Sequence, residues 1–336
     1  MAFIDMRSEL AQAIPGLSRI YAGTLINRAW RVVRDSNLWS WQLGVGGFST
    51  PGVTTAGSIT ISGGIGSTTI IGDATATAAW QSLPLYFAPT LQQIRATGYS
   101  IYNVIAYNLT SNAPYATLTL DRPFIDPLPS YSGVGYQMFQ AYIPAPPNFR
   151  RWLTVADMFN CYALDIWASR RTIDLTDPAR LYTSNPSCIV GIGTDQRGAG
   201  TINASATLGQ QLYELYPTPS TAISYQTYYV VTGADLVNNS DTLPYPITES
   251  VVLDKARTYA YEFAEARKDI MVAKGSGANY LALKKDAEGS FLARLKTIRL
   301  VDKDQVDSFQ IRMAAAMSGF RSPFFNAAIG RANMGA

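Results

Sequence analysis

The chain contains no histidine. That absence removes the commonest general base near neutral pH, the usual serine and cysteine triads, and most zinc sites. Cysteine is nearly as scarce. Cys161 and Cys188 are the only two, too few for a disulfide framework and in keeping with an intracellularly made protein carrying free thiols. The sequons at Asn108, Asn203 and Asn238 are then expected to be chance matches. No C-x-x-C pair and no G-x-x-x-x-G-K-[ST] loop occurs, and the segment Gly191 to Gly198 has the wrong spacing for a dinucleotide fingerprint. No N-terminal run has the length and flanks of a signal peptide, and no stretch is long enough to span a membrane.

Charge is thin as well. Charged residues make up 15% of the chain, against roughly a quarter in ordinary domains. Between Ser40 and Gln140 only Asp73, Arg95, Asp121, Arg122 and Asp126 carry charge. A free surface so neutral would be poorly soluble, so this segment is expected to touch neighbouring subunits, unless it is simply a glycine- and serine-rich β-domain with neutral loops. The net charge of +3 is too small to argue for nucleic-acid binding over the whole chain.

What is present is a folded protein of 336 residues, 47% hydrophobic, long enough for one large or two medium domains. Phe3, Met6, Leu10 and Ala13 repeat at helical spacing, and Ser18 can cap a second helix bearing Tyr21, Leu25, Trp30 and Val33. Arg19, Arg28, Arg31 and Arg34 occupy much of its remaining surface, either as a solvated basic face or as a surface facing a subunit or DNA. GSITISGGIGSTTIIG (Gly57 to Gly72) alternates apolar and small polar residues around a glycine turn and predicts a β-hairpin. Further strands are predicted to residue 142, with Pro144 to Pro147 as a rigid exit. Residues 148–186 read as mixed, with Asp177-Pro178 in the form of a helix cap. Leu208–Tyr216 and Ser224–Val231 read as strands, and Gly193 to Gly200 as a mobile loop. Val252, Ala256, Tyr259, Ala260, Phe263 and Ile270 then mark one helix, ending at Gly275-Ser-Gly277. Tyr280, Leu283, Ala287, Phe291, Leu295 and Ile298 mark a second, antiparallel to it.

The fold class expected is α+β. A helical core, a long antiparallel helical hairpin plus N-terminal helices, carries an inserted small β-sandwich or barrel and an extended C-terminal tail. The expected divisions are 1–43, 44–146, 147–305 and 306–336.

Carboxylate chemistry could work without histidine. Asp165, Asp174 and Asp177 lie close in sequence, but caps and turns account for them better. Asp302, Asp304 and Asp307 are spaced for a hard cation but lack the glycine and terminal glutamate of a calcium loop, so helix N-capping is preferred. No catalytic, cofactor or metal site is expected.

Three stretches together resemble one family. They are LINRAWRVVRDSNLWSW (Leu25 to Trp41) followed by the hairpin, TLTLDRP (Thr117 to Pro123), and LYELYPTPS (Leu212 to Ser220) with Tyr225 to Tyr229 and then DTLP (Asp241 to Pro244) before a long helix. Their order is similar to the head-to-tail adaptor proteins of tailed bacteriophages. The resemblance covers most of the chain up to about Lys274, although adaptors are often shorter. It implies a homo-oligomeric ring of about a dozen copies (a dodecamer) between portal and tail, lining the DNA exit channel. The expected place is the neck of the virion, after assembly in the host cytoplasm. Its partners would be the portal protein, tail nozzle or fibre proteins and double-stranded DNA in transit, with no membrane. A tail-tube or tail-terminator protein is the close rival. A glycan-binding module and a carboxylate glycosidase are the distant ones.

On this reading Trp30, Tyr259, Phe263 and Phe291 form the helix face that builds the core or joins subunits. Lys255, Glu262, Arg267 and Lys268 are candidates for a lumen of balanced charge. Phe320, Arg321, Phe324, Phe325, Ile329 and Arg331 form the portal-binding tail, since apolar anchors with too little following sequence to cover them suit an interface groove.

Overall fold

The computed structural model describes all residues except 15, 84–91, 110–114, 195–210, 268–278 and 318–336. It divides into two compact units, Met1–Gly44 with Val230–Ala315, and Val45–Tyr229.

The first unit is helical. Helix α1 (Phe3–Ala13) buries Phe3, Met6 and Leu10 at helical spacing. Helix α2 (Arg19–Asp35) starts where the Ser18 hydroxyl accepts the Tyr21 N–H at 3.2 Å, satisfying one of the free donors of the first turn. It buries Leu25, Ile26, Ala29, Trp30 and Val33. Helix α5 (Glu249–Ala266) packs chiefly on α2 and α1. Helix α6 (Tyr280–Met317) runs 38 residues and adds Tyr280, Phe291, Leu295 and Ile298 to the same core.

The second unit is mostly sheet. Strands β2 (Ile59–Ile61) and β3 (Thr69–Gly72) form the antiparallel hairpin read from the Gly57–Gly72 pattern, Ile59 opposite Gly72. At Gly57 φ is 81°, and a Cβ there would collide with the Asp73 carboxylate and the Ala76 N–H, so the position requires glycine. With β4 (Gln93–Ala96), β5 (Tyr102–Asn108), β6 (Thr117–Leu120) and β7 (Tyr136–Phe139) they make a six-stranded sheet of order β2-β3-β6-β5-β4-β7. The sheet curls as a half-barrel, because its two edges approach through the pair Ile59 and Val134, each donating to the other at 2.9 Å. Helix α3 (Ala74–Gln81) sends Trp80 into this core, edge-on to Tyr136.

The remaining sheets draw on sequence from both sides of this module. β8 (Tyr142–Pro144), β12 (Cys188–Thr194) and β13 (Gln211–Tyr216) form one, in order β12-β13-β8. β1 (Leu43–Thr50), β9 (Phe149–Asp157), β10 (Tyr162–Ala163) and β15 (Ile223–Val231) form another, in order β1-β15-β9-β10. Between them lie helix α4 (Arg170–Thr176) and the parallel pair β11 (Thr183–Ser184) and β14 (Thr218–Pro219).

These findings overturn the expected fold class. Sheets dominate the middle of the chain, and the helices are not a core built on a long hairpin. In β9 (FRRWLTVAD) Arg150 and Arg151 are exposed, while Trp152 and the run Thr154–Asp157 are buried, as in a strand covered on both faces at its second half. Residues 147–229 belong to the sheet unit rather than to the helical core expected from the sequence. Pro144 and Ala145 are not an exit linker either, since Ala145 donates to Gln211 O at 2.8 Å as an extension of β8. Helix α5 ends at Ala266 rather than near Gly275. Helix α6 crosses the expected boundary at 305/306 unbroken, since no residue from Ser290 to Met317 is glycine or proline.

Candidate functional site

Helices α2, α5 and α6 carry Trp30, Lys255, Tyr259, Glu262, Phe263 and Phe291, six of the residues singled out from the sequence. Trp30 is buried, donates its indole N–H to Ala234 O at 2.9 Å and stacks on Trp41. Phe291 is also buried in the helical core. Tyr259 and Phe263 are half-buried at its edge. Arg28 lies 4.1 Å from the Tyr259 ring centroid, and Phe263 sits 4.9 Å from the Tyr21 ring under Arg267. All four therefore serve the subunit's own packing.

The proposed lumen charges are partnered within the chain. Lys255 reaches Glu288 at 3.4 Å and lies over the rings of Tyr259 and Phe291. Glu262 pairs with Lys284 at 2.6 Å, beside a recess of 310 Å³ whose walls include Tyr261, Tyr280 and Leu281. The carboxylate raises the pKa of Lys284. Arg267 is stacked on Phe263. Lys268 and the whole set Phe320, Arg321, Phe324, Phe325, Ile329 and Arg331 lie outside the described residues, as does most of the Gly193–Gly200 loop.

The basic face of α2 is partly neutralised. Arg31 makes a bidentate pair with Asp235, whose pKa is held below the usual carboxylate range mainly by that hydrogen bond. Arg34 donates to Gly233 O at 2.7 Å. Asp254, 3% exposed, takes Arg257 at 3.2 Å and Arg294 at 3.3 Å, which ties α5 to α6.

Four of the carboxylates weighed for chemistry, Asp165, Asp174, Asp177 and Asp302, have a local task, while Asp304 and Asp307 are exposed on α6. Asp165 accepts the Trp167 N–H at 2.8 Å. Asp174 pairs with Arg180, and that hydrogen bond chiefly lowers its pKa. Asp177 does not cap a following helix. It ends α4 and accepts the N–H groups of Leu181 and Tyr182 at 2.9 and 3.0 Å, an arrangement that shapes the turn. Asp302 is likewise no cap of its own helix. It is fully buried in the middle of α6 and accepts the Ser40 N–H at 2.9 Å and the Ser40 hydroxyl at 2.5 Å. Those two bonds anchor the 3-10 turn Ser40–Gln42 to α6. Among the described residues no three of His, Cys, Asp and Glu are grouped to hold a metal ion.

Two arrangements escaped the sequence reading. One is a buried polar knot in the sheet unit. Arg180, with φ 52°, lies against Glu214 and Asp174 and donates to Asp177 O at 2.5 Å. Burial opposes its charge, but the hydrogen bonds it donates to Glu214 and Asp174 outweigh that and raise its pKa. Arg95, 2% exposed, donates to Arg180 O at 2.9 Å and to Gln137 at 2.7 Å. An arginine inside a strand of an otherwise neutral module was the available signal.

The second is the outside of α6. Leu281, Leu283, Leu292, Leu300, Val301 and Ile311 are all exposed, Ile311 to 67%. Apolar residues thus lie on α6 beyond its buried stripe. Gly289 sits among these residues, and a Cβ there would meet nothing within 4 Å. Glycine in a helix costs roughly 1 kcal/mol relative to alanine, and among the described residues no close approach requires it. Such an arrangement can receive another protein surface.

No protein-family model matches the chain, and no curated protein matches it. Among the described residues no helix is long and apolar enough to cross a membrane.

Proposed function

We propose that this chain is a structural protein of a tailed-phage neck, a head-to-tail adaptor that assembles as a ring between portal and tail. The observation that carries the reading is α6, 38 residues long, with exposed leucine, valine and isoleucine along its length. The sequence adds the near absence of charge from Ser40 to Gln140 and the lack of histidine. The resemblance of the Leu25–Trp41 and Leu212–Ser220 stretches to adaptors supplies the family. Conserved chemistry is not needed for such a task; extended surfaces are.

In this reading the helical unit closes the ring and the sheet unit meets tail nozzle or fibre proteins. The segment bearing Phe320, Phe324 and Phe325 docks on the portal. DNA passes without being held, so duplex binding by the isolated protein is weak and falls steeply with salt.

Localisation in a particle tests the proposal. A map of purified virions should place the chain as a ring directly beneath the portal, and particles made without it should be DNA-filled heads lacking tails. Density elsewhere in the tail refutes it in favour of a tube or terminator. Turnover of a capsular polysaccharide that disappears in Asp174→Asn refutes it in favour of an enzyme.

A further inference from the structure

Projected at about 100° per residue, the surface of α6 resolves into two flanks on either side of its buried stripe. Leu281, Lys285, Leu292, Lys296 and Lys303 are all exposed and fall within an arc of roughly 60°. Leu283, Asp286, Thr297, Val301 and Asp304 are exposed too and fall within a second arc of similar width, roughly 140° from the first. One flank is apolar and basic, the other apolar and acidic. Arg299 borders the first but donates to Ser36 O at 2.7 Å, and Arg294 borders the second but is taken by Asp254. Asp307 lies at the outer margin of the basic flank, one turn beyond Lys303. Lys285, Asp286, Lys303 and Asp304 have no side-chain partner within the chain among the described residues.

We infer that the two flanks of α6 are the two halves of one contact between copies of this chain, the basic flank of one copy lying against the acidic flank of the next with the helices parallel. The inference rests on the ring reading above and assigns the surface that closes the ring. In such a contact Lys285 comes level with Asp286 of the neighbouring copy and Lys303 with its Asp304, each pair offset along the axis by about 1.5 Å. Leu281 comes level with Leu283. A two-fold contact would instead present the same flank twice, lysine on lysine or aspartate on aspartate, and like charges facing each other are disfavoured. A contact between unlike flanks repeats head to tail, and an obtuse angle between them closes a ring of many copies rather than a dimer.

Self-association of the full chain, followed by light scattering and sedimentation at low and high salt, tests this. Wild type should assemble more strongly at low salt. K285E/K303E makes both flanks acidic and D286K/D304K makes both basic, so each variant alone should associate at least roughly tenfold more weakly. Because all four side chains are exposed, circular dichroism of each variant should match wild type. An equal mixture of the two variants should recover assembly, since each supplies the flank that the other lacks. A two-fold contact sets like charges face to face already in wild type, so its assembly would strengthen rather than weaken with added salt, and both separate variants would associate as wild type does. Assembly that persists in both separate variants overturns the flank assignment and leaves the ring reading standing on its own particle test. A wild type that stays monomeric at every concentration and salt also overturns the flank assignment.

Discussion

Removing the carboxylate of Asp302 should loosen the helical unit by about 2–4 kcal/mol. The side chain is fully buried and accepts two hydrogen bonds, from the Ser40 N–H at 2.9 Å and the Ser40 hydroxyl at 2.5 Å. Hydrogen bonds to a charged partner contribute about 1.5–3 kcal/mol each, and in Asp302→Ala the N–H and hydroxyl of Ser40 lose their acceptor together. Against that, the variant no longer buries a charge, which returns part of the loss. Asp302→Asn keeps one acceptor oxygen and should cost about 1–2 kcal/mol. Asp307→Ala, exposed on the same helix, should stay within about 0.5 kcal/mol of wild type. Urea unfolding followed by far-ultraviolet circular dichroism and by tryptophan fluorescence is the assay, since Trp39 and Trp41 flank Ser40 in sequence. An Asp302→Ala protein as stable as Asp307→Ala would show that the anchoring of the Ser40–Gln42 turn to α6 contributes nothing, and the reasoning would fail.

Glu214→Ala should destabilise the sheet unit by about 3–5 kcal/mol, because it strands the buried Arg180, while R180M/E214L should recover most of that loss in the same unfolding assay. The Asp73 carboxylate caps α3 and also takes the Ser58 N–H at 2.7 Å. The Ala76 N–H, chiefly, holds its pKa below the ordinary value. A depressed carboxylate stabilises fully above its unfolded pKa and loses that contribution as pH falls through the folded value. Stability measured through the acid range should therefore fall less steeply in Asp73→Asn. A thiol reagent should label Cys161, which is exposed, and spare the buried Cys188 until the protein is unfolded. Burial pushes the Cys188 thiol up to about 11, which further slows its reaction. Replacing residues 45–229 by a short flexible linker should leave a folded helical unit, since β1 and β15 are linked neighbours in one sheet and the chain enters and leaves on adjacent strands. Deleting only residues 50–141 should leave the helical unit folded but the remaining sheets unfolded, because it removes the acceptor Ala141 O from β13 and half of a contiguous sheet unit.

Periodicity and capping chemistry are local properties, and they were legible. The stripe Phe3, Met6, Leu10, the Ser18 cap and the Gly57–Gly72 alternation each state their structure within a dozen or so residues, because the backbone period and the first-turn donors act over that range. The lack of histidine and the neutral run from Ser40 to Gln140 likewise bounded the chemistry before any fold was known. What the sequence could not decide was allegiance. Residues 147–229 carry apolar groups compatible with either unit, and pairing across long separations, Ala163 with Ala156 nearby but Tyr213 with Ile143 far away, assigned them to sheets. Whether a carboxylate caps, coordinates or anchors also depended on what came to meet it. Asp302 looks like a cap by its neighbours in sequence, yet Ser40, distant along the chain, supplies its donors. Burial of one stripe of α6 left its two other flanks outward, and only three-dimensional packing could separate the apolar residues that the core takes from those it leaves exposed.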